Sequence, residues 1–154
     1  MSSPRTTGER GFVLIAMAAS MFLLLAAMGL AFDLGRIYIA RNEAQVFTDA
    51  AAMAAASKLD GTAAGLARAR DAAIHIPIRW NLGTREFTGV VVDFSSDGTK
   101  WETNPKEVSD VRLARVTAPS NDVEITFLSA VGGPESLRVP ARAVAATNPV
   151  RLTE

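Results

Sequence analysis

The longest apolar run of the chain extends from Gly11 to Phe32, and its 22 residues contain no charged side chain. Ser20 is the only residue in this run with a polar side chain. As an α-helix the run is about 33 Å long, which matches a hydrocarbon core of about 30 Å. Because such a helix is apolar on every face, a small domain cannot bury it easily. The pattern therefore predicts a transmembrane helix over residues 11–32.

A cleaved secretory signal is the alternative interpretation of this run. Its apolar region would be about 7–15 residues long and would end at an Ala-x-Ala-like site. The run here is longer and continues into an Ala-rich sequence without a turn residue, which favours a retained anchor. Two arginines precede the span and two follow it closely, so the bias in basic residues is small. The simplest orientation keeps residues 1–10 as a cytoplasmic head and exports the rest.

The next segment, from Asp33 to Leu59, is rich in residues that favour helices. Its apolar positions recur every three or four residues, which predicts a stalk helix with one narrow apolar stripe. Nothing forces a break before it, so we expect one continuous helix from Gly11 to Ser57, about 70 Å long. The Ala-rich stripe suits close packing against another subunit or against the chain's own C-terminal domain. The stripe comprises Leu34, Ile37, Ala40 or Ala44, Val46 or Phe47, Ala51 and Ala55.

A helix stop follows the stalk at Asp60-Gly61, and Thr62 can cap a new helix. The sequence predicts a second helical segment from Ala63 to Trp80, which Pro77 should end or kink after Ile76. Residues 60–83 are thus expected to form a helical segment and a linker.

Alanine becomes sparse after residue 81, and β-branched and aromatic residues alternate with turn signals. This change predicts an antiparallel β module over residues 84–147, followed by a short tail over 148–154. Pro140 predicts that the last strand is an edge strand or is bulged there. A long helix followed by four to five antiparallel strands makes an α+β fold with a pilin-like layout. The predicted strands are Glu86–Phe94, Thr99–Thr103, Asp110–Ala118, Asp122–Ala130 and Ser136–Ala146.

The composition narrows the possible functions. The chain has 154 residues with 16 basic and 16 acidic side chains, and this neutral balance argues against a nucleic-acid binder. It has no cysteine and one histidine, which excludes disulfides and Cys-ligated zinc. No Walker loop, Gly-x-Gly-x-x-Gly pattern or nucleophile elbow occurs. We therefore expect neither an enzyme nor a cofactor, metal or small-molecule site.

One acidic pattern resembles the start of a calcium loop, with Asp93, Ser95 and Asp97 at alternate positions before Gly98. A calcium loop needs a bidentate Glu at its twelfth position, where this sequence has Asn104. Asp-Gly between two β-like runs is also a strong hairpin signal. The pattern is interpreted as a turn.

Two further ionisable residues have simple interpretations. His75 lies among isoleucines near a predicted helix end and has no flanking Ser or Asp motif, so it is interpreted as a structural or surface imidazole. Asp33 is the first charge past the span. It is either an interfacial charge in the headgroup region or half of an ion pair with a neighbouring subunit.

A set of polar and small residues follows the apolar run at characteristic spacings. The motif positions are Asp33, Gly35, Arg36, Tyr38, Glu43, Gln45, Asp49, Asp60 and Gly61. Together with the preceding apolar run, this set resembles the N-terminal module of TadE/TadG-like proteins of the Tad (Flp) pilus assembly system. The likeness covers residues 10–61 closely and 84–147 loosely.

This resemblance implies a single-pass protein of the bacterial inner membrane with a periplasmic C-terminal domain. It implies a minor pilin-like or TadG-like component of a system that builds adhesive type IV fimbriae. The implied partners are the lipid bilayer and other pilus-assembly proteins, contacted through the Ala-rich helix. Related pilins are cut after a Gly, which would place a prepilin-peptidase site at Gly11 and Phe12. The fifth residue after that cut is Ala16 here, where such pilins have Glu.

Two other functions are compatible with a single-span protein. A bitopic envelope receptor would bind a ligand in its exported domain, but a ten-residue head cannot carry an output domain. A membrane-tethered hydrolase would need a catalytic constellation, and His75 would have to take part in it.

Overall fold

The computed structural model describes residues 7–76, 89–118 and 122–147. The described chain is a long apolar helix followed by a small antiparallel sheet, which confirms the α+β layout. The predicted head and tail lie wholly or largely outside the described residues. The elements are α1 (Thr7–Ala56), α2 (Ala63–Ile74), β1 (Val91–Ser95), β2 (Leu113–Ala118), β3 (Asp122–Glu124), α3 (Phe127–Ala130), β4 (Ser136–Arg138) and β5 (Ala141–Ala146).

Helix α1 is 50 residues long and passes from the apolar run into the stalk without a break. At ~1.5 Å per residue it extends for about 75 Å. Within residues 11–32 every side chain is exposed, and Gly29 is the one buried position. Helix α1 contains a segment long and apolar enough to cross a membrane, and the described residues contain no second one.

The turn between α1, which ends at Ala56, and α2, which begins at Ala63, contains the predicted stop signal Asp60-Gly61. Gly61 has a φ of 76°, a left-handed conformation that suits glycine. The Thr62 hydroxyl accepts a hydrogen bond from the Gly65 N–H at 2.9 Å and so caps α2, as its sequence indicated. Helix α2 ends at Ile74, earlier than the prediction of Trp80, and residues 77–88 lie outside the described part of the chain.

The three-stranded antiparallel sheet has the order β1-β2-β5 and packs against the stalk half of α1. Side chains on one face alternate into the core: Val92 is paired with Val116, which is paired with Ala143. The small side chains of α1 allow the sheet to lie close to the helix. The apolar stripe is therefore covered by the chain's own module over its Ala-rich part. The buried stripe residues are Ala40, Ala44, Phe47, Ala51 and Ala55, and the neighbouring Ala52 is buried with them.

Two strand predictions are wrong in the C-terminal module. The predicted strand Asp122–Ala130 ends at Glu124, and the chain then forms the short helix α3. The predicted strand Ser136–Ala146 is two strands in two different sheets. The interruption falls at Pro140, which has no N–H to donate to a ladder, and β5 is an edge strand as that proline indicated.

The predicted hairpin partner Thr99–Thr103 forms only one bridge, between Glu102 and Phe94. Backbone hydrogen bonds of 2.9 and 3.0 Å join these two residues. The segment is shaped instead by Asp97. Its carboxylate accepts hydrogen bonds from the N–H groups of Thr99 and Lys100, which bend the chain away from an extended course.

Candidate functional site on helix α1

Asp33 lies on α1 directly after the apolar run and is 1% exposed. Its carboxylate accepts hydrogen bonds from three successive N–H groups: Thr126 at 3.1 Å, Phe127 at 2.8 Å and Leu128 at 2.7 Å. These N–H groups are at the start of α3, where a helix has no intrahelical acceptors. Asp33 thus caps α3 from another helix through charge-assisted bonds. Neither sequence-based interpretation of Asp33 includes this intramolecular role.

Three further α1 residues hold the same turn. The Arg36 Nη1 donates to the Thr126 hydroxyl at 3.1 Å. The Phe32 and Phe127 rings meet edge to face, with centroids 5.6 Å apart. Gly29 lies under the Phe127 side chain. We call this set the clasp. It consists of Gly29, Phe32, Asp33 and Arg36 on α1 and Thr126, Phe127 and Leu128 at α3.

The two glycines of α1 near the clasp give a matched prediction. A Cβ on Gly29 would lie 2.8 Å from the Phe127 side chain, so Gly29→Ala should push α3 off α1 at a cost of about 1–3 kcal/mol. A Cβ on Gly35 would meet nothing within 4 Å, so Gly35→Ala should be neutral or stabilise the helix by up to about 1 kcal/mol. Urea unfolding of the full chain in micelles measures both. Equal effects of the two changes would refute the close packing at Gly29.

The middle of α1 carries four other motif residues. Gln45 donates to the Asp49 carboxylate at 2.9 Å and reaches the Arg142 carbonyl of β5 at 3.5 Å. Both carboxylate oxygens of Glu43 are shielded from solvent and have no hydrogen-bond partner among the described residues. Tyr38, by contrast, is 74% exposed and points away from the module. The motif residues therefore do not converge on one pocket but are distributed along α1.

Asp60 and Gly61 shape the turn at the far end of α1. The Asp60 carboxylate accepts hydrogen bonds from the Thr62 hydroxyl at 2.6 Å and the Thr62 N–H at 3.0 Å, and it pairs with Arg68 at 2.6 Å. The Thr62 hydrogen bonds, followed by the charge of Arg68, hold the pKa of Asp60 below its ordinary value of 3.8. A Cβ on Gly61 would lie 3.1 Å from the Ser109 carbonyl oxygen, so this turn also contacts the loop before β2.

The lowered pKa of Asp60 gives a pH prediction. Its contribution to stability is full above the unfolded pKa of about 3.8 and is lost as pH falls through the lower folded value. Asp60→Asn should therefore reduce the free energy of unfolding near pH 7, and the difference from the wild type should shrink as the pH falls below 4. Urea unfolding at a series of pH values measures this. A difference that stayed constant down to pH 2 would contradict it.

The candidate processing site, Gly11 and Phe12, lies inside α1 a few residues after its start. Phe12 is 73% exposed, and a Cβ on Gly11 would meet nothing within 4 Å. Cleavage at this position stays a prediction.

The residues of the calcium-like pattern and His75 have structural contacts in the fold. Asp93 pairs with Arg115 at 2.7 Å on the outer face of the sheet, and the Arg115 guanidinium lies 4.5 Å from the Trp101 ring centre. Hydrogen bonds from the Thr99 hydroxyl and the following N–H groups lower the pKa of Asp97. Gly98 has a φ of 78°, which confirms the turn. His75 is the C-cap of α2 and lies 3.1 Å from the Asp71 carboxylate, exposed to solvent.

Sequence reasoning identified Asp33 and Arg36 of the clasp and missed its other five residues. Gly29 has no sequence signal that distinguishes it within the apolar run, and Phe127 falls in the predicted strand Asp122–Ala130. One local signal was present: Thr126 is an N-cap type residue directly before four residues that can form a helical turn. That signal was outweighed by the alternation of Val123, Ile125 and Phe127, which is typical of a strand.

In comparisons with known proteins, one part of the chain matches a family. Residues 11–58 match the model of a family described as Flp pilus-assembly TadE/G-like. This region covers most of α1 and less than half of the chain. No curated protein and no solved structure matches the chain. The described C-terminal module is thus characterised by its own geometry.

Proposed function

We propose that this chain, whose residues 11–58 match the Flp pilus-assembly TadE/G-like family, is a membrane-anchored component of the apparatus that builds a Tad (Flp) pilus. The observation that carries the proposal is the coincidence of this match with the exposed apolar run of α1. In this proposal α1 crosses the inner membrane once. Residues 1–10 remain in the cytoplasm, and the module that follows the stalk lies in the periplasm. The family is one of pilus assembly and is not a known enzyme family.

The two faces of the stalk support different roles for α1. One face is covered by the chain's own sheet. The opposite face of the stalk, after the apolar run has ended, also exposes large apolar side chains. Such side chains would contact water unless another protein covers them. Ile39, Val46 and Met53 are seven residues apart and so lie on one line along the helix. This line, which we call the outer stripe, is 45–62% exposed and suits a helix of another pilus-assembly protein.

Site-specific crosslinking in the native host tests this function. A photoreactive amino acid at Met53 should give adducts with other proteins of the pilus system, because this side chain is 62% exposed on the outer stripe. The same amino acid at Phe47, which is 2% exposed against the module and is already aromatic, is the matched control and should give none. Adducts restricted to proteins unrelated to pili would count against the proposal.

A charge placed on the outer stripe gives the corresponding prediction. Val46→Lys combined with Met53→Lys should leave the module folded, because both side chains are exposed. The double variant should reduce the number of pili per cell, since charges disfavour an apolar helix contact. Electron microscopy of complemented cells measures piliation, and limited proteolysis checks folding. Normal piliation with this variant would mean that the outer stripe binds no partner.

Processing is a separate part of the proposal. A pilin-like subunit cut after Gly11 would lose residues 1–11, whereas an assembly factor would keep its head. The intact mass of the protein extracted from native membranes distinguishes these two forms. A cut after residue 31 would instead mean that the apolar run is a secretory signal and would overturn the proposed anchor.

A further inference from the structure

We propose that helix α3 and its C-cap form a second membrane contact, inserting into the outer surface of the bilayer that α1 crosses. The contact surface consists of Phe127 and Val131. This inference rests on the proposed membrane anchoring of α1. The proposed ligand of this surface is lipid. The surface belongs to the C-terminal module and is distant in sequence from the anchor.

The level at which Phe127 contacts α1 indicates its depth in the proposed bilayer. A hydrocarbon core of about 30 Å takes about 20 helical residues, so a span that starts at Gly11 reaches the outer boundary near Leu30. Phe127 packs over Gly29 and against Phe32. The module therefore touches α1 at the level where the acyl chains meet the headgroups.

The surface at this level is apolar and exposed. Phe127 is 48% exposed and Val131 is 68% exposed, and both side chains are large and apolar. Phe32, which touches Phe127, is itself 54% exposed within the apolar run. The apolar surface of α1 thus continues onto α3 through the contact between Phe32 and Phe127. This continuity favours the same lipid as the occupant over a second copy of the chain.

Several polar groups of α3 are already paired, which lowers the free-energy cost of burying this segment in the membrane interface. Its first N–H groups donate to Asp33, whose charge is hidden from solvent. The Ser129 hydroxyl donates to the Ile125 carbonyl at 3.0 Å. An unpaired backbone group would oppose entry into the bilayer surface, and these hydrogen bonds reduce that cost.

The consequence is a defined orientation of the module. A single helix can tilt and rotate in a bilayer. A second contact at the clasp would fix both the height of the sheet above the membrane and the direction of the outer stripe.

Tryptophan depth measurement tests the proposal on the full chain in phosphatidylcholine vesicles. Trp80 and Trp101 are replaced by Phe, and single reporters are introduced as Phe127→Trp or Val131→Trp. Both reporters should be quenched several-fold more by lipids brominated near the headgroup than by lipids brominated near the chain end. Val131→Trp leaves the packing over Gly29 unchanged, so it stays informative if Phe127→Trp disturbs the clasp.

Two control reporters separate the possible outcomes. Phe22→Trp, in the middle of the apolar run, should be quenched by the deep bromines if α1 spans the bilayer. Val144→Trp should not be quenched, because the neighbouring Arg142 lies beside Gln45, which is about 18 Å along α1 from Asp33. Quenching at position 22 without quenching at 127 and 131 would overturn the second contact and leave the anchor. Absence of quenching at 22 would overturn the anchor itself. Protection of 127 and 131 from aqueous quencher without lipid quenching would mean that protein covers α3, and would also overturn the proposal.

Discussion

Replacing Asp33 with alanine is expected to detach α3 from α1 and to lower the free energy of unfolding of the C-terminal module by about 2–4 kcal/mol. Three N–H groups within 3.1 Å would lose their charged acceptor at once. A hydrogen bond to a charged group contributes more than a neutral one, and donors left unpaired in a buried place add a further cost. Urea unfolding of the full chain in micelles, followed by tryptophan fluorescence, measures the loss.

Asp49→Ala is the matched control for Asp33→Ala. Asp49 is an exposed aspartate on the same helix and accepts one hydrogen bond, from Gln45. Its removal should change the free energy of unfolding by no more than about 0.5 kcal/mol. Asp33→Asn should fall between the two, because the amide keeps one oxygen acceptor but loses the charge. If Asp33→Ala were as stable as Asp49→Ala, the clasp would not contribute to the fold.

Replacing Phe47 with alanine is expected to have a still larger effect, about 3–5 kcal/mol. Phe47 is 2% exposed and belongs to the core that joins the stalk half of α1 to the sheet. Its neighbours in that core are mostly alanines, whose short side chains cannot move to fill the cavity. The module should therefore unfold at a much lower urea concentration.

The adjacent residue Val46 provides the control for Phe47, because it is 54% exposed on the opposite side of the helix. Val46→Ala should leave the free energy of unfolding within about 0.5 kcal/mol of the wild type. The two variants should also have different effects in the cell. Loss of Phe47 should remove the folded module, whereas loss of Val46 should leave the module intact and weaken only contacts made by the outer stripe. Similar unfolding of both variants would mean that the face of α1 against the sheet is wrongly assigned.

Much of this architecture could be predicted because its causes are local. The apolar run has no charge from Gly11 to Phe32, and the stalk has apolar residues at helical spacing, so one long helix follows from the sequence. Asp60-Gly61 lies in the turn between α1 and α2, where Gly61 has the left-handed conformation that its sequence position indicated. Pro140 correctly indicated the edge position of β5, because proline cannot take part in a central ladder.

The clasp could not be predicted because its cause is a contact between residues far apart in the sequence. Phe127 is part of an alternating pattern that is typical of a strand, and nothing in its neighbourhood identifies an acceptor for its N–H. That acceptor is Asp33, 94 residues earlier. In the same way, the sequence left open whether the Ala-rich stripe packs on another subunit or on the chain itself. The structure decides this through the close fit of β2 and β5 over that stripe.

The number of pili on a clean deletion strain tests the central claim, a role in pilus assembly, most directly. The proposal predicts that the deletion removes or strongly reduces pili seen by electron microscopy, and that the wild-type chain restores them. Phe47→Ala should fail to restore them, since it lacks a folded module. Normal piliation of the deletion strain would contradict the proposed function.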